Sequence, residues 1–323
     1  MSKINAAITA VGAYVPDYVL TNQILETMVD TNDEWITSRT GIKERRILKE
    51  KGQGTSFLAI KAANDLIKKR GINPEEIELV IVATATPDMK AASTAAFTAT
   101  QIGATNAFSF DLEAACSSFL FGMSVAAKYI ESGRYKKVLL IGADKMSSII
   151  DYKDRTTCII FGDGAGAAVL TREEDPNKGI LSSHLYSEGQ HAEELSLIGP
   201  STMRWVPEII AENDPTDESY YPYMNGQTVF KHAVVRFSEV IKEGLQKNNW
   251  AASDIDMFVP HQANLRISQF IQKKFQLRYD QVYNNIMRYG NTTAASIPIA
   301  LTEAWEEGKI KEGDKVVLAA FGS

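Results

Sequence analysis

The chain repeats itself, and that repeat limits its fold more than any other feature. "NPEEIELVIVATATP" (73–87) is similar to "AASDIDMFVPHQAN" (251–264), and "AACSSFLFGMSVAAKYIESGRYKKVLL" (114–140) to "YGNTTAASIPIALTEAWEEGKIKEGDKVVLA" (289–319). Each copy reads as an apolar strand, then a turn of small residues, a helix, a glycine and a second strand. Cys116 lies 17 residues before Gly133, and Asn291 lies 17 before Gly308 (133 − 116 and 308 − 291), which assigns the two to equivalent positions. His261 falls at the end of a second-copy strand, matching Ala83. A duplicated chain whose halves face each other brings Cys116, His261 and Asn291 together at its pseudo-twofold interface, a favoured place for a site.

The rest of the chain alternates in the same manner. Apolar runs at 77–86, 107–112, 136–144 and 158–170 are predicted strands, while 55–70, 117–132 and 226–247 have helical spacing, which is the pattern of an α/β fold. Turn chemistry in "DPNKG" (175–179) separates a first half, 1–174, from a second, 175–323. The N-terminal "MSKINAAITAVGAYVP" lacks a small-residue cleavage site and is predicted to be a buried first strand, not a signal peptide. The stretch 207–222 reads as an acidic excursion over the surface. "GDGAG" (162–166) has neither the Rossmann nor the Walker spacing, so a tight turn between packed elements is expected there.

Charge and cysteine usage narrow the function. A net charge of −6 and a pI near 5.4 give no global positive field for nucleic acid. No run approaches the ~20 apolar residues that cross a bilayer. Two cysteines, Cys116 and Cys158, are too few for a secreted disulfide scaffold, so a reducing, cytosolic setting is expected. No cluster of His, Cys and carboxylates shows metal-ligand spacing in the sequence. At the start of the 117–132 helix, Cys116 would meet unpaired N–H groups and the positive end of the helix dipole, which lower a thiol pKa toward the thiolate. Cys158, within "TTCIIFG", has no polar partner nearby and reads as structural.

With these residues in place, five motifs carry a resemblance along essentially the whole chain: "NDEWITSRTGIKER" (32–45), "EAACSSF" (113–119), "DRTTCIIFGDGAGA" (154–167), "VPHQANLRI" (259–267) and "GNTTAAS" (290–296). The sequence resembles the β-ketoacyl-acyl carrier protein synthase III family, condensing enzymes of the thiolase superfamily that start type II fatty acid synthesis. The resemblance implies a five-layered αβαβα fold, a homodimer, no cofactor or metal, and a triad of Cys116, His261 and Asn291. In its chemistry an acyl-CoA acylates the cysteine and malonyl-acyl carrier protein then loses carbon dioxide to give the attacking carbanion. Trp35 and Arg155 resemble the pair that sandwiches the adenine of coenzyme A, Arg39 a partner of its phosphates, and Asn264 and Gly226 the groups beside the pantetheine arm. Two rival readings stand beside this one: a related condensing enzyme of a secondary pathway, and a non-catalytic acyl-binding protein with the same fold.

Acyl carrier proteins are acidic, so an acidic enzyme needs a local basic surface to receive one. Arg266 and Lys273, seven residues apart and nearly aligned on one helical face, are candidates together with Lys274 and Lys231. In "TPDMKAASTA" the chain has Ala91 where the resemblance places a residue that reaches across the dimer to floor the neighbour's acyl pocket, and a small side chain there leaves room for longer or branched primers. The sequence closes on "KVVLAAFGS", with Ser323 in a turn resembling the one that supplies a second oxyanion donor. The expectation is that a turn and one more strand, roughly 10 to 20 residues, follow in the functional protein.

Overall fold

The computed structural model describes residues 4–197 and 220–322. In the first half, strands β1 (Asn5–Tyr14), β4 (Leu79–Ala83), β5 (Phe108–Leu112), β6 (Lys137–Lys145) and β7 (Asp163–Glu173) form one sheet in the order β1-β7-β6-β4-β5. β4 runs parallel to both β5 and β6, and β7 is antiparallel to β6 and β1. Short pairs accompany it: β2 (Tyr18–Thr21) with β3 (Glu44–Ile47), and β8 (Leu195–Ser196) with β9 (Tyr223–Met224). In the second half, β10 (Met257–Pro260) and β11 (Val316–Ala319) pair in parallel, the only sheet there among the described residues besides β8 and β9. The helices, in chain order, are α1 (Asn22–Leu25), α2 (Asp33–Thr40), α3 (Thr55–Arg70), α4 (Thr94–Ile102), α5 (Ser118–Glu131), α6 (Gly226–Lys247), α7 (Leu265–Lys274), α8 (Ile286–Tyr289) and α9 (Ser296–Glu306).

Side-chain alternation along the strands builds five layers. Successive strand residues point to opposite faces. Val80 and Val82 of β4, with Leu139 and Ile141 of β6, pack on Leu58, Ala62 and Leu66 of α3. Leu79, Ile81, Val138 and Leu140 point the other way, onto Phe119, Met123 and Ile130 of α5 and Ile297, Ala300 and Ala304 of α9. The same central cluster takes Met257 and Val259 from one face of β10, whereas Phe258 from the other face packs on Phe237 and Ile241 of α6 and Ile271 of α7. The stack is therefore α3 and α4, the large sheet, α5 with α9, the β10–β11 pair, and α6 with α7, the αβαβα order expected. β4 is buried along its whole length, as a strand covered on both faces must be.

Four expectations need correction or bounding. The 158–170 run is not all strand. Residues 154–160 coil first, because the Asp154 carboxylate accepts the Thr156 amide at 2.8 Å and the Thr156 and Thr157 hydroxyls, drawing Cys158 N–H onto Asp154 O at 3.0 Å. "GDGAG" is not a tight turn but opens β7, and its glycines let α9 approach the sheet: a Cβ on Gly166 would lie 2.6 Å from the Pro298 carbonyl carbon. Most of the acidic stretch 207–222, up to residue 219, lies outside the described residues, as does Ser323.

The fourth correction concerns the repeat, whose register differs from the one the glycines suggest. Leu79 pairs with Val138 and Met257 with Val316, 178 positions later in both cases (257 − 79 and 316 − 138). The same offset superposes the starts of α5 and α9 (296 − 118) and the turns before them, Ala115–Ser117 and Thr293–Ala295. Cys116 therefore corresponds to Ala294, not to Asn291. α5 has 14 residues and α9 has 11, so the glycine closing each helix sits at a different distance from the helix start.

Candidate active site

The two equivalent turns meet at the interface of the halves. In the first, Ala115 adopts φ 42°, Ser118 Oγ accepts the Ala114 amide at 2.7 Å, and Cys116 is buried at the entry to α5. In the second, Thr293 adopts φ 48°, a left-handed conformation that a β-branched residue takes only under constraint. Asn291 lies just before that turn, its backbone fixed by Asn291 N–H to Ile160 O at 2.9 Å and Gly162 N–H to Asn291 O at 3.0 Å. Its side-chain oxygen accepts the Thr293 amide at 2.8 Å, which leaves the NH₂ group as donor for the hydrogen bond to the Cys116 thiol. His261 follows β10, anchored by its amide on Ala319 O at 2.8 Å, and its Nδ1 lies 2.5 Å from Ser296 Oγ. His261 Nε2 is buried and has no hydrogen-bond partner among the described residues. The structure thus brings Asn291 to Cys116 and ties His261, through Ser296 at the start of α9, to the turn that follows Asn291.

The electrostatics differ from the expectation for Cys116. Burial pushes the thiol up to about 12 and the Asp144 charge adds to this, while the Asn291 hydrogen bond and a backbone N–H pull it back. The helix terminus does not prevail because its dipole is worth about 0.3 to 1 kcal/mol, less than one pKa unit. Burial also pushes His261 down to about 3. At neutral pH the site therefore holds a neutral thiol, a neutral imidazole and a neutral amide. Against the thiol lies Gly322, where an added Cβ would stand 2.6 Å from Cys116 Cβ and 3.1 Å from its N. The second oxyanion donor expected at the turn of Ser323 lies outside the described residues.

Several residues of this site have no place in the sequence reading. Asp144, at the end of β6, is fully buried and accepts hydrogen bonds from Thr84, Ala85, Thr86, Thr293 and Ala294; burial pushes its carboxyl up and these donors pull it down. Its one sequence signal is an acid closing the apolar run "KKVLLIGAD". Ser296 and Gly322 carried no comparable signal.

The candidate coenzyme A residues gather at α2. Asn32 caps this helix through Trp35 N at 2.8 Å, and the Trp35 ring has the Arg39 guanidinium carbon 4.5 Å and that of Arg155 5.4 Å from its centroid. Arg155 also donates to Asp30 O at 2.9 Å. Asn264 caps α7 and donates to Arg39 O at 3.1 Å, so it ties α7 to the clamp. Gly226, exposed at the start of α6, stands apart, with Met224 Cε at 4.0 Å the nearest atom its Cβ would meet. Lys231, Arg266, Lys273 and Lys274 are all exposed, on the packed pair α6 and α7, where the Arg266 guanidinium lies 5.7 Å from the Phe230 ring. Ala91 is exposed on the loop between β4 and α4.

One cluster has metal-ligand chemistry that the sequence did not show: Glu188, His191 and His232, with ligand atoms within 4.8 Å of one another. Arg236 holds both oxygens of the Glu188 carboxylate, so a guanidinium already fills the place of a cation. No described helix is long and apolar enough to cross a membrane.

Comparison with known proteins identifies the family and the fold. Residues 110–189 match the family model of 3-oxoacyl-[acyl-carrier-protein] synthase III, and residues 245–323 match the model of its C-terminal part. The β-ketoacyl-[acyl-carrier-protein] synthase III of Chlorobaculum tepidum is 46% identical over 321 residues, 99% of this chain and 96% of that protein. That of Porphyromonas gingivalis W83 is 47% identical over 324 residues, 100% of this chain and 94% of the relative. Among solved structures, the 3-oxoacyl-[acyl-carrier-protein] synthase III of Aquifex aeolicus superposes with a TM-score of 0.89 at 42% identity, covering 98% of this chain and 96% of the other. The priming β-ketosynthase of the R1128 polyketide pathway gives 0.86 at 30% identity over 98% and 92%. Fold and relatives define a condensing acyltransferase of the thiolase-like class. The chain belongs to the β-ketoacyl-[acyl-carrier-protein] synthase III family.

Proposed function

We propose that the protein joins an acyl-CoA primer to malonyl-acyl carrier protein by decarboxylative Claisen condensation, through an acyl group on Cys116, as the first step of fatty acid synthesis. The observation that carries this reading is the buried Nε2 of His261, without a partner among the described residues, in a site whose one side-chain amide, Asn291, bonds to the thiol. In the first half-reaction the Cys116 sulfur attacks the thioester carbonyl, its proton passes to His261 Nε2, and coenzyme A leaves as the thiol after taking that proton. The Cys116 N–H faces the oxyanion. In the second, the malonyl carboxylate leaves as carbon dioxide and charge gathers on the thioester oxygen. Ser296 Oγ accepts from His261 Nδ1–H while Nε2 serves as the base. Once coenzyme A has left, the Nδ1 proton is lost to solvent, Nε2 takes one from solvent, the Ser296 hydroxyl turns to donate to Nδ1, and Nε2–H and the Asn291 NH₂ donate to that oxygen. The enolate carbon attacks acyl-Cys116, the β-ketoacyl product departs on the carrier protein, and Cys116 regains a proton from solvent.

The surface supports the finer assignments. Trp35, Arg39 and Arg155 clamp the nucleotide of coenzyme A, and the exposed cations of α6 and α7 receive the acidic carrier protein. Neither half-reaction needs a cofactor. A homodimer forms along β5, whose outer edge is unpaired among the described residues and is flanked by the exposed Phe97 and Phe108, with Ala91 close by in sequence. The setting is the cytosol. Labelled acyl-CoA tests the core of the proposal: a stable thioester on Cys116, converted to β-ketoacyl product only when malonyl-acyl carrier protein is added, supports it. Failure of the thioester to form shows an acyl-binding protein, and product on another acceptor shows a secondary pathway.

A further inference from the structure

We propose that Asp144 is a positioning residue for the condensation step, a buried carboxylate of the first half that sets the angle of the Asn291 amide in the second. The inference rests on the role given to Asn291 above.

The argument begins with how the carboxylate divides its bonds. Asp144 Oδ1 accepts from Thr84 Oγ1 at 3.0 Å, Ala85 N at 2.8 Å, Thr86 N at 3.1 Å and Thr86 Oγ1 at 2.9 Å, all on the loop that follows β4. Oδ2 accepts from the Thr293 hydroxyl and, at 3.0 Å, from Ala294 N, both on the turn that follows Asn291. One oxygen thus serves each half of the molecule. The bonds to Oδ2 bear on the one strained residue of that turn, Thr293 at φ 48°. A β-branched side chain leaves that conformation unless neighbours over-determine it. Here the tether does so, and the result is that Thr293 N–H points at Asn291 Oδ1, 2.8 Å away. With its oxygen occupied, the amide can present only its NH₂ to the thiol and to the enolate oxygen. The equivalent turn of the first half needs no such tether, because Ala115 at φ 42° is not β-branched and bears the thiol on the next residue.

The chemistry requires a carboxylate in particular. Six donors converge on it, and an amide in its place must turn its NH₂ toward one group of them. The Oδ1 side offers two backbone N–H groups and two hydroxyls, and the Oδ2 side one of each. The NH₂ of an asparagine therefore settles on the Oδ2 side, against Ala294 N–H, and repels the turn that aims Asn291.

Two variants test this. Thr293→Val removes the hydroxyl tether while leaving every Oδ1 bond intact, and Asp144→Asn disturbs the turn as described. Both are compared with Thr293→Ser, which keeps the hydroxyl, and with Asn291→Ala. The measurements are single-turnover acylation by acyl-CoA and turnover of preformed acyl-enzyme with malonyl-acyl carrier protein, each with a thermal unfolding curve. A charge-assisted hydrogen bond translates to a loss of about 10- to 100-fold in the condensation kcat of Thr293→Val. Acylation and the malonyl substrate KM should stay within about 3-fold of wild type, and Thr293→Ser should restore condensation. If Asn291→Ala loses condensation and folded Thr293→Val does not, the positioning role of Asp144 is wrong and the role of Asn291 stands. If Asn291→Ala condenses normally, the reading of Asn291 falls and takes this inference with it. Equal loss of both half-reactions in Thr293→Val also overturns the inference, because it marks general disruption of the site.

Discussion

The state of the resting thiol is open to direct measurement by alkylating Cys116. Its pKa moves from an ordinary 9.0 to about 12, three units that correspond to about 4 kcal/mol against ionisation at about 1.36 kcal/mol per unit. At pH 7 about one molecule in 10⁵ carries the thiolate, against about one in 100 for an unperturbed thiol. Nucleophilicity per thiolate rises with pKa, with a Brønsted slope of about 0.4 to 0.5, so three units return about 16- to 32-fold of that 1000-fold deficit. Iodoacetamide should therefore label Cys116 about 30- to 60-fold more slowly than a free cysteine at pH 7. The logarithm of the rate should climb by one per pH unit through pH 9 with no plateau. Peptide-resolved mass spectrometry separates this label from any on Cys158, itself buried and pushed up to about 11. A plateau with a midpoint below pH 8 would show that the helix terminus outweighs burial and the Asp144 charge, and the proton path through His261 would then be unnecessary. The folded pKa lies above the unfolded one, so the stabilising effect of the protonated thiol is complete below pH 9 and fades as pH rises from 9 toward 12.

Four further outcomes follow from the same geometry. Asn291→Ala should reduce condensation about 100- to 1000-fold, the usual loss of one oxyanion donor, while sparing acylation, as rapid-quench measurement of each half-reaction will show. Gly322→Ala drives a methyl against Cys116 and should lower the acylation rate about 5- to 160-fold, from about 1 to 3 kcal/mol of overpacking, with burst kinetics as the readout. Arg266→Glu should raise the KM for malonyl-acyl carrier protein and flatten its salt dependence, yet leave acylation by acyl-CoA unaltered. His261, held well below its unfolded pKa of 6.5 by burial, gives stability that is complete above pH 6.5 and is lost as pH falls toward 3. Urea unfolding between pH 6.5 and 4 should show a slope of up to about 1.4 kcal/mol per unit that His261→Gln abolishes.

What was legible in the sequence was local or periodic. The helices Thr55–Arg70 and Gly226–Lys247 fall at their predicted bounds because an apolar stripe and a capping residue are both written into consecutive residues. Cys116, His261 and Asn291 stood out in the sequence through the motifs "EAACSSF", "VPHQANLRI" and "GNTTAAS", which carry the family resemblance, and not through the repeat register. The pKa of Cys116 was not legible, since the helix terminus is a property of the next few residues, whereas its surroundings, the turn at 293, Asn291 and Gly322, come from far along the chain. Asp144 was invisible for the same reason: its six donors come from residues 84 to 86 and 293 to 294, far from it in the chain. "GDGAG" misled because glycine signals both a turn and a close approach, and only the tertiary position of α9 distinguishes them.

The misaligned repeat shows how a duplicated fold becomes an asymmetric site. Aligning the closing glycines placed Asn291 opposite Cys116, but a glycine marks where a helix ends, and α9 ends three residues sooner than α5. Aligned on the helix starts, Cys116 stands opposite Ala294, and the two positive-φ residues, Ala115 and Thr293, coincide (293 − 115 is again 178). The same sharp turn is thus used twice for different ends. In the first half it lifts a thiol to the mouth of a helix. In the second it bears no reactive atom, and its amide and hydroxyl instead grip Asn291 and Asp144, so that the donor projects from the segment before the turn. Drawn back by three residues from the position equivalent to Cys116, Asn291 gives its side-chain oxygen to the Thr293 amide and keeps its NH₂ for the thiol.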